Sequence, residues 1–305
     1  MGAPNMADIK LFNINGKVKE YQSGTVTLEK ELQTVIENNM ETFFGVTFLA
    51  SEYRTTDGGR MDSIGIDENN CPVIFEYKRS MKDNVINQGL FYLNWLLDHK
   101  DSFKVLVIEK LGLHVAQLID WTMPRVVCVA GDFTKYDESA IKQMNRNISL
   151  IRYKKFGDDL LMFEQINENI AIGISDDIVA STPQKGKSLG KTFTEHKNEA
   201  PATILTLYED LRNYVLSLGD DITENQLKFY IAFKKIKNIV CVEVFNNKLV
   251  LHLKLNVSTV DYEEGFTRDT SQIGHYATGD VEVTIRNRAD YEKAKALIDR
   301  AYNEN

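Results

Sequence analysis

The chain has 305 residues, 43% hydrophobic and 26% charged, a composition of a soluble globular protein large enough for two domains. No stretch approaches the roughly 18 consecutive apolar residues of a membrane span, and the opening MGAPNMADIK lacks the apolar core of a signal peptide. The formal net charge of −8 excludes a globally basic nucleic-acid coat protein, so a polyanionic partner must be met by a local basic surface or through metal ions.

Along the chain, residues 27–44 place Leu28, Leu32, Val35, Ile36 and Met40 on one helical face, with Thr27 as N-cap and Gly45 as stop. Lys30 stands where a capping-box Glu would, so that signal is half present. Residues 46–53 read as a strand. Residues 61–66 and 72–78 read as a hairpin folded over Asp67-Glu68-Asn69-Asn70. A helix over 83–99 follows, then a buried strand over 103–109, a short helix over 113–121 and a second buried strand over 125–130. A helix over 135–146 and strands over 148–153 and 159–166 complete the unit. This order, with near-continuous apolar central strands, predicts an α/β domain over 1–175 whose mixed sheet is covered by helices.

Residues 176–201 are polar and Lys-rich and hold Pro183 and Pro201, so they are expected to link two domains. GKSLGKT within them is not a phosphate loop, because three residues rather than four separate Gly186 from Gly190 and no strand precedes it. Residues 202–305 form a smaller α+β unit. Its expected elements are a helix over 202–218, a second helix over 220–233 capped near Thr223, strands over 239–245 and 248–255, a strand over 280–286 and a terminal helix over 289–303. Cys71, Cys128 and Cys241 are odd in number and each sits in an apolar run. Buried reduced thiols and a cytoplasmic address are expected.

The chemistry concentrates in the hairpin. A strand puts residues i and i+2 on one face, so Glu76 and Lys78 point the same way, and the fold over 67–70 brings Asp62 opposite them. Two carboxylates and an ammonium at a strand end can hold a magnesium or manganese ion and hydrolyse a phosphodiester, with the carbonyl of Tyr77 as a further oxygen ligand. Lys78 would orient or deprotonate the attacking water, or stabilise the pentacovalent phosphorus oxygens. The plain alternative is a surface hairpin with an ordinary Glu/Lys pair. Gln88 and Tyr92, four apart, share one helical face and could hold the site or a phosphate, or merely pack. The stripe Phe91, Tyr92, Trp95 reads as helix core.

Other chemistries find less support. His99, His114, His196, His252 and His275 show no zinc-ligand spacing, and Ser63 and Ser80 lack a nucleophile-elbow context. Four basic clusters are visible: Lys78-Arg79 with Lys82; Arg152, Lys154 and Lys155; Lys185, Lys187 and Lys191; and Lys234-Lys235 with Lys237. Most are expected to be solvated faces.

Taken together, Asp62, Glu76-x-Lys78 and Gln88-x-x-x-Tyr92 resemble the PD-(D/E)xK, or restriction-endonuclease-like, superfamily, in its RecB-like branch. The Gly59-Arg60-Met61-Asp62 entry and the later VVCVAGDF strand look like the NucS-type archaeal endonucleases. The resemblance covers about residues 25–165. It implies a mixed sheet flanked by helices, a magnesium-dependent endonuclease acting on DNA, and an acidic residue on the first core helix, here Glu37 (or Glu31). Met61 replaces the Pro that often precedes the first Asp. Residues 202–305, with Gly274-His275-Tyr276-Ala277-Thr278-Gly279-Asp280, look like an uncharacterised domain found behind nuclease-like domains and sometimes labelled a predicted transport protein. His275 and Asp280 could bind a ligand there or buttress a turn. The expected function is a DNA endonuclease with a C-terminal recognition or partner-binding domain, as monomer or homodimer. The alternative is a non-catalytic nucleic-acid-binding or scaffold protein on the same fold: the net acidity favours it and the intact Asp62, Glu76 and Lys78 oppose it. An interaction module over 202–305 is compatible with either.

Overall fold

A computed structural model describes residues 9–25, 29–78, 85–170, 191–273 and 277–305. Thr27, Leu28, Arg79, Ser80, Lys82, His275 and positions 176–190 of the expected linker lie outside the described residues. A small ribbon, β1 (Leu11–Asn13) with β2 (Lys19–Tyr21), and an edge strand, β3 (Ser23–Gly24), lead into α1 (Glu29–Asn38) and α2 (Met40–Phe44). The single helix expected over this stretch is broken at Asn39. It ends at Gly45, whose φ of 62° is a left-handed conformation that favours glycine.

An antiparallel meander follows: β4 (Val46–Arg54), β5 (Arg60–Asp67) and β6 (Pro72–Lys78). Helices α3 (Val85–Asp98), α4 (Lys100–Leu111) and α5 (Leu113–Gln117) carry the chain to β7 (Arg125–Ala130), which lies parallel to β6. Helix α6 (Lys135–Ile141) leads to β8 (Asn147–Phe156), parallel to β7, and β9 (Leu160–Asn169) returns antiparallel. The sheet order is β3-β8-β7-β6-β5-β4 with β9 paired to β8. Helices flank this mixed sheet, the α/β architecture expected. Val73, Phe75 and Tyr77 of β6 pack with Leu32, Ile36, Met40 and Phe44 of α1 and α2. Ile64, Ile66 and Ile74 pack on the other face with Ile86, Leu93 and Leu96 of α3. Burying a large side chain such as Phe75 contributes about 1.5–3 kcal/mol, so the alternation of β6 is anchored on both faces.

The C-terminal domain is separate and antiparallel. Its elements are α7 (Phe193–Glu199), α8 (Ala202–Leu216), β10 (Thr223–Gln226), β11 (Ile231–Lys234), β12 (Asn238–Phe245), β13 (Lys248–Leu253), β14 (Thr267–Asp269), β15 (Val281–Ile285) and α9 (Arg288–Glu304). The strand order is β10-β11-β12-β13-β15-β14, and side chains of α7, α8 and α9 share one core with the sheet. Among the described residues, no helix is long and apolar enough to cross a membrane.

Three expectations fail. Residues 103–109 are not a strand but the middle of α4. Phe103, Leu106 and Val107 are buried at i, i+3 and i+4, while Val105 and Ile108 face solvent. A short apolar run reads equally well in either period, and packing decided for the helix. Residues 220–233 are not a helix but β10 and β11, because β11 finds its backbone partners in β10 and β12. Residues 193–199, inside the stretch expected to be a linker, form a helix with a full Thr192–Glu195 capping box, and Phe193 is buried in the C-terminal core. Cys71, Cys128 and Cys241 are buried free thiols.

The two domains share a buried seam. Cys71, from the β5–β6 turn, packs in one apolar cluster with Leu227, Tyr230, Ala232, Cys241 and Ala277. Lys234 pairs with Glu168 at 2.7 Å, both almost fully buried, and Arg125 pairs with Asp67 beside them. Burial alone would raise Glu168, but Lys234, Arg125 and Thr223 hold its carboxyl below the usual range. The basic cluster Lys234, Lys235, Lys237 is therefore spent internally: Lys235 donates to the Tyr302 carbonyl and Lys237 to that of Thr42. Arg152 likewise bridges Asp132 and Glu164.

Candidate active site

The site forms where β5 and β6 leave their turn behind. The two strands pair Ser63 with Phe75 and Ile64 with Ile74. The same register one step further sets Asp62 opposite Glu76, so both side chains leave the α3 face of the sheet. The Asp62 N–H donates to Glu76 Oε1 at 3.3 Å, and the Tyr77 N–H donates to Asp62 Oδ2 at 3.0 Å. Glu76 has no exposed surface, and its Oε2 is a buried oxygen with no hydrogen-bond partner.

These carboxyls carry more negative charge than their surroundings answer. Burial, then the neighbouring Asp62, pushes Glu76 up to about 9, against a lowering pull from the Asp62 N–H and Lys78. Burial also raises Asp62, helped by Glu29 and Glu52. Lys78 lies in the same field. Burial would lower it, but Asp62, Glu29 and Glu76 together lift it above its ordinary range. Lys78 is thus an ammonium at neutral pH, with Glu29 Oε1 at 3.4 Å.

Glu29, rather than the expected Glu37 or Glu31, is the acidic residue of the first helix that meets Lys78. Glu31 is exposed, and Glu37 sits among hydrogen bonds on the α1 side of the sheet. Glu37 Oε1 accepts from Gln33 Nε2 at 2.8 Å and from Ser63 Oγ at 2.7 Å, and Ser63 in turn accepts from the Tyr77 hydroxyl. Gln33 Nε2 also donates to the Asp62 carbonyl at 2.8 Å. Glu37 therefore reaches the site through Gln33 and the backbone of Asp62. The signal was present, since Glu29, Gln33 and Glu37 recur every four residues and share one helical face.

Gln88 and Tyr92 come together on α3. Gln88 Nε2 donates to the Tyr92 hydroxyl at 3.3 Å, and that oxygen accepts the Arg60 N–H at 3.2 Å, two residues before Asp62. Of the aromatic stripe, Tyr92 and Trp95 are buried as expected, whereas Phe91 is half exposed and not core. In the C-terminal loop, Asp280 is exposed, and its main-chain carbonyl rather than its carboxylate holds Thr270.

A divalent cation suits this donor set. The partnerless Glu76 oxygen and the raised carboxyls of Asp62 and Glu76 are groups that such an ion would satisfy. Among the described residues, no group of three or more His, Cys, Asp or Glu side chains gathers as a metal cage. Magnesium needs none, because it is held by one or two carboxylates together with waters and substrate phosphates.

Fold and site together describe a mixed-sheet α/β domain with a buried carboxylate pair, closed at one end by an antiparallel α+β domain. Residues 193–305 match the family described as Domain of unknown function (DUF5655). A protein of Haemophilus influenzae described only as an uncharacterized protein is 29% identical over 295 residues, covering 94% of this chain and 96% of the relative. A solved structure, the crystal structure of a repair endonuclease from Pyrococcus abyssi, shares 18% identity over 42% of this chain and 49% of that one, with a TM-score of 0.29.

Proposed function

We propose that the N-terminal domain is a metal-dependent endonuclease that hydrolyses DNA phosphodiester bonds, with substrate or partner recognition in the C-terminal domain. The observation that carries this reading is the Asp62–Glu76 pair with its buried, partnerless oxygen, in the electrostatic reach of the Lys78 ammonium. Asp62, Glu76 and the Tyr77 carbonyl would hold magnesium or manganese. A bound divalent ion supplies charge neutralisation at the phosphate and acidifies water.

The chain's own groups divide the remaining tasks. Lys78, already cationic, stabilises negative charge developing on the phosphoryl oxygens and orients the attacking water. Glu29 fixes the ammonium at the strand end. Gln33 and Glu37 hold the Asp62 backbone from one side of the sheet, and Gln88 and Tyr92 hold Arg60 from the other.

The test uses purified full chain with plasmid and single-stranded DNA. Cleavage is expected with magnesium or manganese and not with a chelator. Lys78→Ala should lower the rate by about 10²–10³-fold or more while metal binding persists; Asp62→Asn should lose both. Wild-type rates in both variants, or a wild-type chain that binds either ion to Asp62 and Glu76 and cuts neither substrate, would overturn the reading. The second outcome would leave a non-catalytic nucleic-acid-binding protein on this fold.

A further inference from the structure

We propose that Asn238 and Tyr230 of the C-terminal domain are positioning residues for the Asp62–Glu76 pair, acting through the turn that sets the register of the β5–β6 hairpin. The claim deepens the nuclease reading and takes its chemistry from it.

Because the side chains of a strand alternate, a slip of one residue between β5 and β6 would send Asp62 to the opposite face from Glu76. In a hairpin the turn fixes that register. Here the turn is held from within and from outside. Within it, the Asp67 N–H donates to the Cys71 carbonyl at 2.9 Å and the Asn70 N–H to the Asp67 carbonyl at 2.8 Å. Asp67 Oδ1 accepts from the N–H groups of Asn69 and Cys71, and Asn70 stands at a φ of 61°. Asn tolerates that left-handed region, so the turn is well formed locally, and the question is what holds its tip in place.

The support comes from the C-terminal domain, which takes both side chains at the tip of the turn. Asn69 Oδ1 accepts from the Tyr230 hydroxyl at 2.8 Å and from Asn238 Nδ2 at 2.6 Å. Glu68 accepts from the Asn238 N–H and pairs with Lys254 at 2.6 Å. Asn238 thus binds adjacent turn residues, one through its side chain and one through its backbone. It is itself 1% exposed and is braced by Thr278. Both strands leave this clasp and carry Asp62 and Glu76 two residues from their far ends. The C-terminal domain therefore completes the site's geometry without a residue in the site.

Hydrogen exchange of the full chain tests the claim, with manganese titration by electron paramagnetic resonance as a second readout. The variants are Asn238→Ala and the milder Tyr230→Phe, which keeps the ring and removes one hydroxyl. Lys235→Ala is the control, since the Lys235 side chain stays within the C-terminal domain, where it donates to the Tyr302 carbonyl. Both turn variants should speed exchange across 60–78 by about 2–10-fold and weaken manganese binding by a similar factor, with 100–117 and 281–304 unchanged. The control should do neither. Unchanged exchange in 60–78, or equal acceleration everywhere in Tyr230→Phe, overturns the proposal. Selective loosening of 60–78 in a protein that binds no manganese would retain the positioning claim and refute the nuclease reading. Intact manganese binding with an unresponsive hairpin would do the reverse.

Discussion

The β5–β6 hairpin treats its two ends differently. At the turn, Asp67 is paired with Arg125 and Glu68 with Lys254, and Asn69 is bonded twice. At the open end of the same strands, Glu76 keeps a buried oxygen without a partner, and burial with the neighbouring Asp62 raises its carboxyl. Both ends bury ionisable groups; the turn pairs its carboxylates with cations, whereas Glu76 is left to keep its proton. The satisfied end has the character of structure and the unsatisfied end that of a site, since a group left short of positive charge is a group prepared to receive some.

Breaking the satisfied end should have the largest effect. Arg125→Met would leave Asp67 buried without its partner and remove a positive charge from Glu168, at a cost of about 3–5 kcal/mol. Chemical denaturation measures it, and a loss under about 1 kcal/mol would mean that water reaches the seam.

The opposite sign is expected at the unsatisfied end. Glu76→Gln should stabilise the chelator-treated protein at pH 8 by roughly 1–4 kcal/mol, because it removes an unanswered buried carboxyl. The pH dependence follows from the raised pKa. Below its ordinary value of 4.5, Glu76 is protonated whether the chain is folded or not. Between 4.5 and about 9 the folded chain keeps a proton that the unfolded chain has released. Stability therefore falls as pH rises through that window, by at most about 1.4 kcal/mol per pH unit, and the advantage of Glu76→Gln grows with it. Thermal melts of both proteins from pH 4 to 9 would show the curves diverging; parallel curves would count against a protonated Glu76.

A smaller change separates support from site. Tyr92→Phe loses the bond to the Arg60 N–H and should cost about 0.5–1.5 kcal/mol, read by denaturation, with a fall in cleavage larger than the stability loss explains. Smallest of all, Lys155→Ala removes an exposed pair with Asp158 and should change stability by no more than about 0.5 kcal/mol. A larger loss would show that surface pairs matter here more than the contrast between the hairpin's ends allows.

The site was legible where short-range rules govern. Alternation along β6 and the length of the 67–70 turn were enough to bring Asp62, Glu76 and Lys78 together. Glu29 was not legible, because which end of the Glu29–Gln33–Glu37 face meets the strand end depends on how α1 crosses the sheet. The same limit explains α4, whose apolar run suits either period, and β11, which takes strand geometry from β10 and β12 on either side. The seam was least legible. Asp67, Glu68, Arg125, Glu168, Lys234 and Lys254 look like surface charges in the sequence, and their partners lie up to 186 residues away.

The chain order of the clasp has a consequence for synthesis. Glu68 and Asn69 leave the ribosome long before Tyr230, Asn238 and Lys254. At about 5–20 residues per second, the completed hairpin waits roughly 10–35 s for the last of them. A nascent chain that has reached only the hairpin therefore holds Asp62, Glu76 and Lys78 and lacks the residues that bind the turn from outside.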